Sequence, residues 1–124
     1  MELLVEYSSR FKEVPPEVAS RPFSDDHMVR GCESKAYVWA TPLGDGSYKY
    51  HFAVENPQGL SAKALAVILD ETLSGEPAEN IANVDPDMVY EIFGRGITMG
   101  RGQGLMGMVL MVKKLSGSPQ HYST

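Results

Sequence analysis

A chain of 124 residues fits one domain, taken here as 1–124, and can bury a core without metals or disulfides. Its apolar share of 43% and charged share of 22% are those of an ordinary globular protein, and no apolar run is long enough to cross a bilayer. A net charge of -5 argues against a nucleic-acid partner, because phosphate contacts need surplus Lys and Arg.

The start, MELLVEYSSRFKEV, lacks the basic flank, apolar stretch and cleavage site of a secretory signal, so the expected location is the cytoplasm. Leu3, Leu4, Tyr7, Phe11 and Val14 recur at spacings of three and four, which predicts an N-terminal helix over 1–15 that Pro15 and Pro16 stop. From Val18 to Asp26 no period emerges, and a loop is expected. Lys35–Thr41 and Ser47–Glu55 read as strands with one buried face each. Pro42, Gly44 and Gly46 between them fit a tight reversal, so the two pair as an antiparallel hairpin.

Ala62–Leu73 places Leu65, Ile68, Leu69 and Leu73 on one helical face, with Gly75 at the C-cap and Pro77 beyond. Ile81 anchors a turn of helix. Asp85 and Pro86 read as N-cap and first helical residue of a short helix through Phe93 that Gly94 ends. Leu105–Leu115 is apolar nearly all round until Lys113 and Lys114, which predicts a buried terminal helix, with a strand as the alternative. Residues 116–124 read as a loose tail. The fold class expected is α+β: a small antiparallel sheet of two or three strands packed against several helices.

Cys32 is the only cysteine, which rules out an internal disulfide, and three scattered histidines offer no zinc or iron–sulfur spacing. Gly31 before it permits a tight bend; Arg30 and Lys35 favour thiolate, and Glu33 opposes it. An inert buried thiol and a reactive one both fit the local sequence. The glycine-rich stretch GRGITMGRGQG (94–104) reads as a surface loop or as an anion site feeding a helix, without the spacing of a P-loop. His27 is a candidate base for Cys32 or a solvated loop residue, while His51 and His121 stand apart. Met106, Met108 and Met111 read as core filler.

In order along the chain, VRGCESKAYVW (29–39), KALAVILDETLSGEPAENIANVD (63–85) and ITMGRGQGLMGM (97–108) resemble three segments of the SufE family. These are its G-C-x-S segment leading into a strand, its central helix with a P-x-x-x-I-x-x-x-D run at Pro77, Ile81 and Asp85, and its L-T-P-S-R-x-x-G-L-x-x-M element. The last matches at Thr98, Arg101, Gly104, Leu105 and Met108. The chain departs from the pattern at NPQGLSA, at Lys63-Ala64 and at Met99-Gly100.

The resemblance implies a SufE/IscU-like fold and a sulfur acceptor that stimulates a partner SufS-like cysteine desulfurase. Cys32 would take the outer sulfur of the desulfurase persulfide and pass it to a SufBCD-like scaffold for iron–sulfur clusters. It implies no cofactor in this chain, the pyridoxal phosphate belonging to the desulfurase, and no independent turnover. Gly31, Ser34, Trp39, Lys63, Arg101 and Gly104 would support the loop or meet the partner, with no membrane or nucleic acid involved and a monomer or weak homodimer as the assembly. Met28, Val29 and the glycine-rich stretch are expected to cover the thiol, with Arg101 near it. The rival readings are an independent thiol enzyme with His27 or His51 as base, and a non-catalytic interaction module with a silent, buried cysteine.

Overall fold

The chain forms a two-stranded antiparallel sheet with helices on one face and an irregular segment on the other; the computed structural model describes residues 2–117. Its elements are α1 (Glu2–Ser9), β1 (Ala36–Pro42), β2 (Tyr48–Val54), α2 (Leu60–Leu73), α3 (Ala78–Ala82), α4 (Met88–Phe93) and α5 (Met99–Leu115), with one turn of 3₁₀ helix at Asp25–His27. The α+β class expected from the sequence is the one observed. Among the described residues no helix is long and apolar enough to cross a membrane.

The hairpin register runs from Ala36 opposite Val54 to Pro42 opposite Tyr48. Its tip closes as the glycines allow. Gly44 and Gly46 both have φ of 92°, and the Asp45 carboxylate accepts from the Ser47 N–H at 2.9 Å and from its hydroxyl, which holds that carboxyl below its usual range. One face, carrying Val38, Tyr50 and Phe52, packs with Leu65 and Leu69 of α2 and Met108 and Val112 of α5 in the main core.

The opposite face is also buried, which corrects the expectation of one buried face per strand. Tyr37, Trp39 and Ala53 lie under Val14 and Phe23, with the Phe23 ring 5.1 Å from both Tyr37 and Trp39. The expected loop therefore serves as a third layer. Its polar composition hid a few apolar anchors, Val18, Ala19 and Phe23, that are too irregularly spaced to show a period.

The N-terminal helix ends at Ser9 instead of reaching residue 15. Val14 precedes a proline, which disfavours helical backbone, and its N–H donates to the Phe52 carbonyl at 2.8 Å along the free edge of β2. A sheet edge with an unmet acceptor outcompetes two more turns of helix.

The terminal helix begins at Met99, six residues before the expected start, because Thr98 caps it by accepting from the Arg101 N–H at 3.3 Å. The second half of the glycine-rich stretch is thus helix and not loop, and a strand is ruled out. Nor is α5 buried all round: Leu110 is half exposed and Met99 is 74% exposed. Before α4, Asp85 caps a turn at Asp87 (2.9 Å), and the helix proper starts at Met88. Ser116, assigned to the tail, is buried, bonding the Tyr50 hydroxyl and the Val112 carbonyl; the remaining tail, 118–124, lies outside the described residues.

Candidate functional site

Cys32 sits at the tip of a short loop that leads into β1. Met28 bridges Tyr37 in antiparallel fashion, and the Val29 N–H donates to the Ala36 carbonyl at 2.8 Å, so the two arms of the loop are clamped at its base. Inside the clamp the Lys35 N–H closes a turn onto the Cys32 carbonyl at 3.1 Å. Two left-handed residues bracket that turn, Gly31 at φ 77° and Lys35 at φ 53°. Glycine adopts this conformation without strain, whereas a lysine there is held by its surroundings. Here the Glu55 and Asn56 N–H groups donate to the Lys35 and Ser34 carbonyls, both at 3.1 Å.

The loop lies against α5, and two glycines one helical turn apart make this approach feasible. A Cβ on Gly104 would stand 3.0 Å from the Cys32 Cα and 3.2 Å from the Gly31 carbonyl oxygen. One on Gly107 would stand 2.9 Å from a Val29 methyl and 3.3 Å from the Arg30 carbonyl oxygen. The obstructing atoms at Gly104 are backbone and cannot swing aside, so the helix needs glycine at that position for packing and not for flexibility.

The thiol is half-buried, packed against the main core on one side and open on the other to a groove of about 370 Å³. Leu105 of α5 and Leu60 and Ala62 of α2 supply the groove's apolar wall; Ser34, Asn56, Gln58 and Ser61 supply uncharged polar groups. Glu33 and Arg101 line it as well, and among the described residues neither forms an ion pair. Arg101 and Cys32, expected near one another, line the same groove.

Of the residues named from sequence, Ser34, Arg101 and Gly104 share this groove with Cys32, and Gly31 shapes the loop. Trp39 does not belong to it: it faces the opposite side of the sheet, buried with Phe23. Lys63 lies on α2, its N–H bonded to the Gly59 carbonyl at 3.0 Å, and does not line the groove. The expected cover is corrected too. Val29 is sunk in the main core and Met28 packs with the opposite cluster, whereas Gly100, Arg101 and Gly104 of the glycine-rich stretch do line the groove, together with Leu105 and the start of α2. The sequence reading missed Asn56, Gln58, Leu60 and Ser61; the signal was the NPQG segment, whose turn sets them beside Ser34, with Gly59 packed tightly on that serine.

Among the described residues no histidine lines the groove. His27 Nδ1 is bonded to the Val38 carbonyl at 2.9 Å and its ring stacks on Trp39 at 5.3 Å, on the far face of the sheet. His51 pairs with Trp39 in the register and lines a different cleft, where burial, helped by Lys49, pushes its pKa below the ordinary 6.5. Neither histidine named as a candidate base thus lines the groove of the thiol.

The architecture defines an α+β protein that offers one loop-borne thiol beside an arginine, with no histidine next to it among the described residues. Over residues 1–116 the chain matches the SufE model, described as an Fe–S metabolism associated domain, and it belongs to the SufE family. It is 31% identical over 98 residues to a cysteine desulfuration protein SufE from Plasmodium vivax, a match that takes in 78% of this chain and 40% of that protein; the chain thus spans well under half of its relative's length. Among solved structures it resembles a hypothetical protein from Thermus thermophilus, known from a solution structure, with a TM-score of 0.71 and 26% identity, covering 94% of this chain and 80% of that one.

Proposed function

We propose that the chain is a sulfur acceptor that takes sulfur from a cysteine desulfurase onto Cys32, stimulating that enzyme, and delivers it to an iron–sulfur cluster scaffold. Membership of the SufE family and the likeness to a cysteine desulfuration protein from Plasmodium support the reaction class. The observation that carries the reading is the half-buried thiol at the tip of a clamped loop, opening into a polar groove that holds Arg101 and, among the described residues, no histidine.

In the transfer, the Cys32 thiolate attacks the outer sulfur of the desulfurase persulfide. A bond forms between Cys32 Sγ and that sulfur, the S–S bond of the donor breaks, and the donor cysteine leaves as thiolate. No oxidant or reductant is consumed. The attacking species in this step is the Cys32 thiolate, and Arg101 lines the groove into which the sulfur opens. Pyridoxal phosphate acts in the desulfurase, which generates the persulfide, and this chain contributes only the thiol and its setting. Between transfers, the apolar wall of Leu60 and Leu105 limits access of oxidants to the sulfane sulfur.

Intact-mass analysis after incubation with an active desulfurase and cysteine tests this reading. A gain of about 32 Da on the wild-type chain, absent from Cys32→Ser, is the expected result. An unchanged wild-type mass in the presence of desulfurase turnover would overturn it. Full stimulation of the desulfurase by a folded Cys32→Ser protein would do the same and would favour the interaction-module reading.

A further inference from the structure

The groove beside Cys32 is lined by two exposed side chains of opposite charge, Glu33 and Arg101, that form no ion pair among the described residues. The Glu33 side chain reaches the start of α5, where one carboxylate oxygen lies 3.9 Å from the place a Cβ on Gly100 would occupy. Arg101 is the next residue on that helix. Among the described residues the two are not paired with each other or with any third side chain, although both line the groove. A carboxylate and a guanidinium from neighbouring positions form the counter-pattern to a ligand that carries an ammonium and a carboxylate on adjacent atoms.

The remaining walls favour the same ligand class. Ser34, Asn56, Gln58 and Ser61 offer hydrogen bonds without adding charge. The volume, about 370 Å³, is at the small end of the range for ligand sites and suits a molecule of one to a few residues. The thiol lies in the groove with both charges, so a bound molecule's own sulfur can be brought to it.

Building on the proposed role of Cys32, we infer that this groove binds a low-molecular-weight amino-acid thiol, with its carboxylate on Arg101, its ammonium on Glu33 and its sulfur against Cys32. The site gives sulfane sulfur a second exit. The small thiolate attacks the outer sulfur of the Cys32 persulfide, a new S–S bond forms to the small molecule, the Cys32 Sγ–S bond breaks, and Cys32 leaves as thiolate. The reaction is redox-neutral, and the terminal proton stays on the transferred sulfur. The same recognition acts on the corresponding disulfide: Cys32 thiolate attacks it, a mixed disulfide forms and one small thiolate is released.

That exchange provides a test without any desulfurase. The full chain is treated with cystine, with cystamine, which lacks the carboxylates, and with dithiodipropionate, which lacks the ammonium groups; mixed-disulfide formation at Cys32 is followed by mass. Rates are taken as ratios within one protein, which cancels differences in thiolate fraction, and each ratio is divided by that of the urea-unfolded chain. The expected result is a preference of the folded chain for cystine of about fivefold over either probe, the scale of one charge-assisted contact in a partly exposed groove. Arg101→Gln collapses the cystine-to-cystamine ratio, and Glu33→Gln collapses the cystine-to-dithiodipropionate ratio. Equal ratios in folded and unfolded chain, or ratios that neither substitution changes, overturn the inference. A flat ranking alongside normal sulfur loading from a desulfurase defeats this inference alone; a preserved ranking with no loading supports the recognition and defeats the proposed function.

Discussion

Two concavities among the described residues differ in character, and the smaller of this pair holds the thiol. The larger cleft, about 650 Å³, lies between the 10–15 segment, β2 and the second half of α2. Its charges are mostly spent on each other: Lys49 bonds both Asp70 oxygens at 2.6 and 2.8 Å, Arg10 reaches Glu71 at 3.3 Å, and Glu13 holds Arg21 at 2.7 Å. In the Cys32 groove Glu33 and Arg101 have no such partners among the described residues, and the backbone on either side of the thiol is left-handed. Volume alone would have favoured the cleft without the thiol. Paired charges satisfy one another, whereas unpaired charges beside a thiol remain available to a ligand.

Substitutions in each concavity test the contrast. The largest effect is expected from Gly104→Val, which drives a branched side chain into the Cys32 backbone. It should cost about 1–3 kcal/mol in urea unfolding and raise the labelling rate of the thiol as the loop is pushed off the helix. An unchanged midpoint with unchanged labelling would show that the loop is not pinned there. A smaller effect is expected in the other cleft. Asp70→Asn weakens a pair whose side chains are still partly exposed, so the loss should be about 0.5–1 kcal/mol, with Cys32 labelling unaltered. A change in labelling would mean that the two concavities communicate.

The smallest effect concerns pH. Because burial and Lys49 hold the His51 pKa below 6.5, the unfolded chain binds this proton more readily than the folded one. Its contribution to stability is therefore constant above about 6.5, declines as pH falls through that value, and levels off below the lowered folded pKa. Unfolding midpoints measured across that window should fall less steeply in His51→Gln than in the wild type. Parallel curves would place the imidazole in water.

Much of the frame was legible in the residues. Alternating aromatics around Gly44 and Gly46 specified the hairpin, and the Leu65, Leu69 and Leu73 spacing with Gly75 specified α2, because both signals are local and repeat within a few residues. Cys32 was legible as the candidate nucleophile because no other cysteine competes with it. What stayed hidden depended on partners far away in sequence. Trp39, adjacent to the site in the strand pattern, points to the opposite face, and His27, five residues before the thiol, is committed to Val38 and Trp39.

By itself, then, the order of residues determined the hairpin and the central helix and singled out one candidate nucleophile, since those follow from periodicity, turn chemistry and a count of one. It took the packed chain to show that the second half of the glycine-rich stretch is helix, and that Glu33 and Arg101 share the thiol's groove while His27 and His51 do not. The reason is physical. Glycine in a chain signals either freedom or closeness, and which of the two holds is known only when the backbone that comes to lie against it, here that of Cys32, is in place.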